Sequence, residues 1–162
     1  MSMDSWHSYA SVFALGHRAV ANLFLDPVLV EEKIDGSQLS AGMFEDPDSP
    51  GYHILKVRSK GAQLNLVAPE KMFVKAIEVL ELLPLTTGWT YRFEYLRTPK
   101  HNALAYDRIP EKHLIIFDIN TGLESYLDHE AKFVEAERIG LECVRLFNQG
   151  MIEDIVQFRE FL

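Results

Sequence analysis

The most apolar run in the chain, Leu114-Ile115-Ile116-Phe117-Asp118-Ile119, is only six residues long. That length suits a buried strand and falls far short of the roughly 20 apolar residues of a membrane-spanning helix. The core must therefore come from short strands and amphipathic helices, and no membrane partner is expected. A hydrophobic content of 48% is enough for such a core and argues against wholesale disorder. At 162 residues the chain is the size of one domain, and residues 1–162 are read as a single one. Cys143 is the one cysteine, so an internal disulfide and a cysteine-rich zinc site are both excluded. The stretch from Met1 to Ser11 has no basic flank leading into an apolar segment, so no secretory leader is expected. Together these point to a reducing, cytoplasmic setting. Basic residues number 16 against 24 acidic, a net charge of −8. That balance excludes a broad basic coat for nucleic acid but leaves room for a small pocket with a few converging cations.

Punctuation and periodicity divide the chain. A helix is expected from about Ala14 to Phe24, stopped by Asp26-Pro27. Val28-Leu29-Val30 begins a short strand ending near Lys33. Asp35-Gly36 then turns the chain, and Gln38 to Phe44 returns as a second strand. After the polar loop Glu45–Gly51 (EDPDSPG), Tyr52 to Arg58 alternates as a strand, and Gln63 to Val67 extends the meander. Pro69 opens a helix that Pro84 ends. Thr90 to Leu96 (TYRFEYL) is a strand, Thr98 to Pro110 a polar loop, and Leu114 to Ile119 a central strand. Leu127 to Ile139 reads as an amphipathic helix capped by Gly140, Leu141 to Leu146 as a short strand, and Met151 to Leu162 as a final helix. Strands and helices that do not alternate regularly give an α+β fold, with mainly antiparallel sheets and flanking helices.

The sharpest chemical feature is Glu31-Glu32-Lys33-Ile34-Asp35-Gly36-Ser37-Gln38. A lysine stands at the end of an apolar strand, against a glycine turn. Read alone, a K-x-D-G stretch is a charged hairpin mouth. A lysine nucleophile needs a site that favours the neutral amine, through desolvation or nearby cations, and acids on both sides work against that. No histidine–acid pair matches Ser37, so a serine hydrolase is not indicated. The histidines, His101 and His113 among them, lack zinc-like spacing. No G-x-x-x-x-G-K-[ST] stretch is present, so a P-loop is not supported. From pattern alone Phe117 is core, Glu94 is the solvent face of its strand, and Arg58 pairs with a surface acid.

The order of the remaining pieces adds to this. Val57-Arg58-Ser59-Lys60-Gly61 follows the K-x-D-G stretch, then Tyr91-Arg92-Phe93-Glu94-Tyr95-Leu96, then Leu114-Ile115-Ile116-Phe117-Asp118-Ile119. In this order they resemble the motifs of the covalent nucleotidyltransferase superfamily, and specifically of ATP-dependent RNA ligases. The long stretch Phe93 to Asp118 (FEYLRTPKHNALAYDRIPEKHLIIFD) and Leu15-Gly16-His17-Arg18 are similar to one subgroup of those ligases. The resemblance covers nearly the whole chain. It implies a nucleotidyltransferase (ATP-grasp-like) adenylation fold in which Lys33 takes AMP and Asp35 and Gly36 complete its motif. It also implies that Glu32 contacts the adenine amino group, Arg58 and Lys60 hold phosphate or ribose oxygens, Glu94 contacts the ribose, and Phe117 stacks on the purine. Gln38 stands where many RNA ligases carry asparagine for the sealing step. ATP and Mg²⁺ are the implied cofactors, and RNA ends are the implied partners.

Two further motifs of that family, E-G-x-V and K-x-K, do not occur in the sequence. The resemblance therefore predicts the N-terminal part of an adenylation domain: a natural truncation, a trimmed piece, or half of a split gene whose downstream polypeptide completes the domain. Three functions follow as expectations. One is an ATP-dependent RNA ligase or its N-terminal portion. The second is a catalytically inactive nucleotide- or RNA-binding remnant of the same fold. The third is a related DNA ligase or capping-type guanylyltransferase, which the Phe93–Asp118 stretch disfavours.

Overall fold

The computed structural model describes residues 3–162. Met1 and Ser2, where the stretch read for a leader begins, lie outside them. In chain order the strands are β1 (Val28–Glu31), β2 (Ser37–Glu45), β3 (His53–Ser59), β4 (Thr90–Tyr95), β5 (Leu114–Asn120), β6 (Glu142–Cys143) and β7 (Leu146–Gly150). The α-helices are α1 (Val74–Leu80), α2 (His129–Ile139) and α3 (Ile155–Arg159). The fold is mixed α+β. The chain forms two compact units, one built from the N-terminal residues through Tyr9 with Ile34–Cys143, the other from Ala10–Lys33 with Val144–Leu162.

The larger unit is a five-stranded sheet of order β3-β2-β4-β5-β6, antiparallel except for the parallel β5–β6 pair at one edge. One face of the sheet is apolar. Leu39, Ala41, Val57, Tyr91, Phe93, Leu114, Ile116 and Ile119 alternate onto it, each essentially inaccessible to water. Ala76, Ile77 and Leu80 of α1, and Ala136 and Ile139 of α2, complete this core. Each fully buried Leu, Ile or Phe contributes on the order of 1.5–3 kcal/mol. Asp128 caps α2 by accepting the Ala131 N–H at 2.8 Å, and Gly140, at φ 76°, ends it in the left-handed region. A buried polar link ties α2 to the sheet. Tyr91 Oη donates to Glu135 Oε1 at 2.5 Å, and Arg138 donates to both carboxylate oxygens. Burial and Glu135 push the Tyr91 hydroxyl up to about 12. Burial alone would raise the Glu135 carboxyl, but hydrogen bonds from Arg138, Tyr91 and Thr86 outweigh it and hold the carboxyl below its ordinary value.

The smaller unit pairs β1 with β7 in an antiparallel ribbon. Asp154 caps the short α3 by accepting from the N–H groups of Val156 and Gln157. Among the described residues no helix is long and apolar enough to cross a membrane.

Several local expectations need correction. The stretch from Ala14 to Phe24 is not an α-helix but two 3₁₀ turns, Arg18–Val20 and Leu23–Leu25, with Gly16 at φ 92° before them. An eleven-residue segment without a buried stripe lacks the packing that stabilises short helices, and here Leu15 and Leu23 are exposed. The Asp35-Gly36 turn does not make a hairpin: β1 pairs with β7, whereas β2 pairs with β3 and β4. Gln63 to Val67 contributes only an isolated bridge between Arg58 and Gln63. The helix expected from Pro69 starts at Val74, because Glu70–Phe73 closes a separate turn first, Phe73 N–H donating to Glu70 O at 2.8 Å. Leu141 to Leu146 splits between β6 and β7, which lie in different sheets, and Met151 to Leu162 supplies only the five-residue α3.

The other face of the large sheet is polar yet also covered, and Arg92 lies at its centre with no exposed surface. Its guanidinium donates to Asn120 Oδ1 (2.9 Å), Ser40 Oγ (2.9 Å), and the carbonyl oxygens of His7 (2.8 Å) and Ser5 (3.2 Å). Replacing Arg92 with methionine would strand those buried acceptors, each at about 1–3 kcal/mol. Arg92→Met is expected to cost at least about 3 kcal/mol in total, read as a lowered urea midpoint. It should also make residues 3–9 susceptible to proteolysis. A variant with an unchanged midpoint would show that these acceptors find water instead.

Candidate functional site

The ladder register decides which residues share the polar face. Gln38 lies opposite Glu94, Ser40 opposite both Arg92 and Arg58, and Arg92 opposite Asp118. Directly paired residues on adjacent strands project to the same side. One face therefore collects Gln38, Arg58, Glu94, Arg92 and Asp118. Lys60 does not join them; it is exposed in the turn beyond β3.

Phe117 reaches this face through a β-bulge. Arg92 pairs with Asp118 and Phe93 with Ile116, which leaves Phe117 as the extra residue of β5. Counted forward from the buried Ile116, alternation turns residue 117 to the polar side; counted back from the buried Ile119 it turns Asp118 there, and the bulge lets both side chains lie on that face. The bulge is pinned from behind by α2. Lys132, 3% exposed, donates from Nζ to the carbonyl oxygen of Phe117 at 2.8 Å. The Phe117 ring is half-buried and meets the Tyr9 ring edge-on, with centroids 5.1 Å apart.

Residues 5–9 run along the same face. Beyond the Arg92 contacts, Ser5 Oγ donates to Gly88 O at 2.9 Å, Arg58 donates to Ser8 Oγ at 2.8 Å and lies 6.0 Å from the Trp6 ring centroid, and Tyr9 Oη donates to Asp118 Oδ2 at 2.8 Å. Burial first, then Asp118, pushes the Tyr9 hydroxyl well above its ordinary value, so it stays a donor. The Arg92 guanidinium sits 5.7 Å from the Tyr9 ring centroid.

Glu32 and Lys33 end the first segment of the smaller unit. Glu32 donates its backbone N–H to Arg145 O at 2.9 Å, and Lys33 is exposed. The turn that follows belongs to the larger unit. Gly36 donates its N–H to Glu94 Oε2 at 3.2 Å. A Cβ at Gly36 would come within 2.6 Å of the Tyr95 carbonyl oxygen and 2.9 Å of Leu96 Cδ1, so only glycine fits there.

Ser37 does have a histidine: its Oγ lies 2.8 Å from His101 Nε2. The other ring nitrogen, Nδ1, accepts the Arg97 backbone N–H at 3.1 Å. A neutral imidazole that accepts at Nδ1 carries its proton on Nε2 and donates to Ser37. That tautomer cannot take a proton from Ser37, so the pair is structural and no serine nucleophile arises.

Among the described residues no group of three or more His, Cys, Asp or Glu is placed to hold a metal ion.

Reading the residues alone does not single out Arg92, Tyr9, Asp118, His101 or Lys132. Arg92 between Tyr91 and Phe93 is a polar position in an alternating strand, a signal for its face but not for its burial. Lys132 lies in a polar stretch of helix, where lysine is ordinarily solvated. Nothing local to Tyr9 marks it, since its partners Asp118 and Phe117 are over a hundred residues away.

The histidine tautomer is testable. Burial, then the neighbouring Arg97 charge, lower the His101 pKa; Asp35 opposes them, and Ser37 and Tyr95 are its other neighbours. A depressed folded value means that the contribution of neutral His101 to stability is fully present above the unfolded value of about 6.5. It is lost as pH falls through the folded value. An NMR titration of His101 should therefore give a pKa below 6.5. A value at or above the ordinary one would overturn the assignment.

The sequence matches no protein-family model and none of the curated proteins.

Proposed function

We propose that this chain carries the lysine-adenylating part of an ATP-dependent RNA ligase. The observation that carries the reading is the polar sheet face, on which the register and the bulge gather Gln38, Arg58, Glu94 and Phe117 although they come from four different strands. The bulge allows Phe117 and Asp118, neighbours in sequence, to lie on that one face together.

Each side chain has a defined task in this reading. The Lys33 amine attacks the α-phosphorus of ATP in its deprotonated form. A P–N bond forms, the bond from the α-phosphorus to the bridging oxygen of the β-phosphate breaks, and pyrophosphate leaves with that oxygen; the amine proton passes to solvent. Arg58 presents a planar fork of donors to phosphate or ribose oxygens. Phe117 gives the purine a flat apolar surface, and Glu94 accepts from ribose hydroxyls while also holding Gly36. The lysine-bound AMP then passes to an RNA 5′-phosphate, the P–N bond breaking as a phosphoanhydride forms. Attack by a 3′-hydroxyl on the 5′-phosphate releases AMP and seals the strand, with Gln38 in the position assigned to that step. With a net charge of −8, RNA must be held by a local groove and not by a global field.

A second reading, an inactive nucleotide- or RNA-binding module, is favoured by one observation. Arg58 already donates to Ser8, and Phe117 already packs against Tyr9. A ligand must displace or share those contacts.

Acid-quenched incubation with α-labelled ATP and Mg²⁺ separates the two. The ligase reading expects covalent label on the wild type, mapped to Lys33, and none on Lys33→Ala. Label on Lys33→Ala would refute the assignment, and no label on the wild type would favour the binding module. For the purine platform, Phe117→Leu should cost about 1–2 kcal/mol of stability and weaken ATP binding by about 0.5–1.5 kcal/mol. Calorimetric titration that finds unchanged affinity in a folded Phe117→Leu protein would remove Phe117 from the site.

A further inference from the structure

We infer that the loop joining β4 to β5 is a rigid clamp on the turn that follows Lys33, with Tyr106 and Asn102 as its positioning residues. Polar groups in all three residues of the turn, Asp35, Gly36 and Ser37, are bound by this loop or by the β4 residue before it. Tyr106 Oη accepts the Asp35 N–H at 2.7 Å. Asp35 Oδ2 accepts the N–H groups of both Ala103 and Leu104 at 2.9 Å. Asn102 Nδ2 donates to Gly36 O at 2.7 Å, and His101 holds Ser37. Glu94 takes the Gly36 N–H, and Ile34, one residue before the turn, is 7% exposed. An exposed polar loop of this length is ordinarily among the more mobile parts of a protein.

This loop is itself fastened. Leu96 N–H donates to His113 O, and His113 Nδ1 lies 2.9 Å from Leu96 O, which closes its base. Tyr106 N–H donates to Pro99 O at 2.9 Å, crossing the loop. Lys112 and His113 hold positive φ angles of 60° and 67°, a conformation that non-glycine residues keep only where their surroundings impose it. Lys112 Nζ anchors that strained corner to Gly140 O at 3.0 Å. Two successive strained residues and a network of side-chain links to one short turn are more than loop closure needs. They fix the backbone two residues downstream of Lys33, and in a covalent step a misplacement of about 1 Å can cost on the order of a hundredfold in rate.

The inference rests on the proposed adenylation of Lys33, and its test keeps the two apart. Tyr106→Phe removes the oxygen that accepts the Asp35 N–H. Asn102→Ala removes an exposed side chain, so the fold is kept in at least one variant. Amide hydrogen exchange at Asp35 and Gly36 should rise by roughly five- to tenfold in both, with β2 and β4 unchanged. In the same variants the rate of AMP attachment to Lys33 should fall by about ten- to a hundredfold at an unchanged KM for ATP. Unchanged exchange at Asp35 and Gly36 in both variants overturns the clamp, whatever the activity. Faster exchange with an unchanged adenylation rate overturns the positioning role. Faster exchange in a protein whose wild type takes no AMP supports the clamp and sinks the adenylation reading instead.

Discussion

A guanidinium buried in the middle of a sheet cannot be left without acceptors, and in this protein the acceptors come from far along the chain. Arg92 has no exposed surface, and burial pulls its pKa below the ordinary guanidinium value. Removing such a charge from water costs several kcal/mol unless its donors are satisfied. Ser40 and Asn120 supply two acceptors from neighbouring strands, and the carbonyls of Ser5 and His7 supply two more. That requirement draws residues 5–9 across the polar face and brings Trp6, Ser8 and Tyr9 onto Arg58, Asp118 and Phe117. The surroundings of the candidate site thus follow from one buried cation.

The sheet is consequently covered over the middle of its polar face as well as on its apolar one, while Gln38, Arg58, Glu94 and Phe117 stay partly exposed. The apolar side is a conventional core closed by α1 and α2. The polar side is a hydrogen-bonded network centred on Arg92, and it accommodates side chains suited to binding. The bulge at Phe117 is the one place where an element crosses between these roles. It sets an aromatic ring and a carboxylate side by side on the polar face, and Lys132 from α2 donates to the Phe117 carbonyl oxygen. The Lys33 turn uses a similar device at the other end of the sheet, where a glycine allows the backbone to approach Tyr95 closely and a loop satisfies the remaining polar groups.

Much of the strand layout was legible because it depends on local alternation and punctuation. Thr90 to Leu96 and Leu114 to Ile119 are strands to within a residue, and Gly140 caps α2 as its type suggests. The segment from Ala14 to Phe24 was not legible. A spacing of apolar residues near 3.6 promises a helix only if something covers that stripe. The pairing of Val28–Glu31 with Leu146–Gly150 was equally hidden, because the Asp-Gly signal pointed to the adjacent strand and the true partner lies more than a hundred residues on.

For the candidate site the division is similar. The amino acids alone put Lys33 before a glycine turn and Glu94 on the polar side of its strand, since a strand has a fixed period of two. They also fixed the acidic balance, the single cysteine and the absence of a long apolar run. The position of Phe117 could not be had this way: its run of apolar neighbours reads as core, and a bulge is a property of the ladder between two strands. Nor could the burial of Arg92, the tautomer of His101 or the hold of Tyr106 and Asn102 on the turn. Each is a hydrogen bond whose partners are brought together by the folded chain, and no local period or propensity encodes a contact made at that distance.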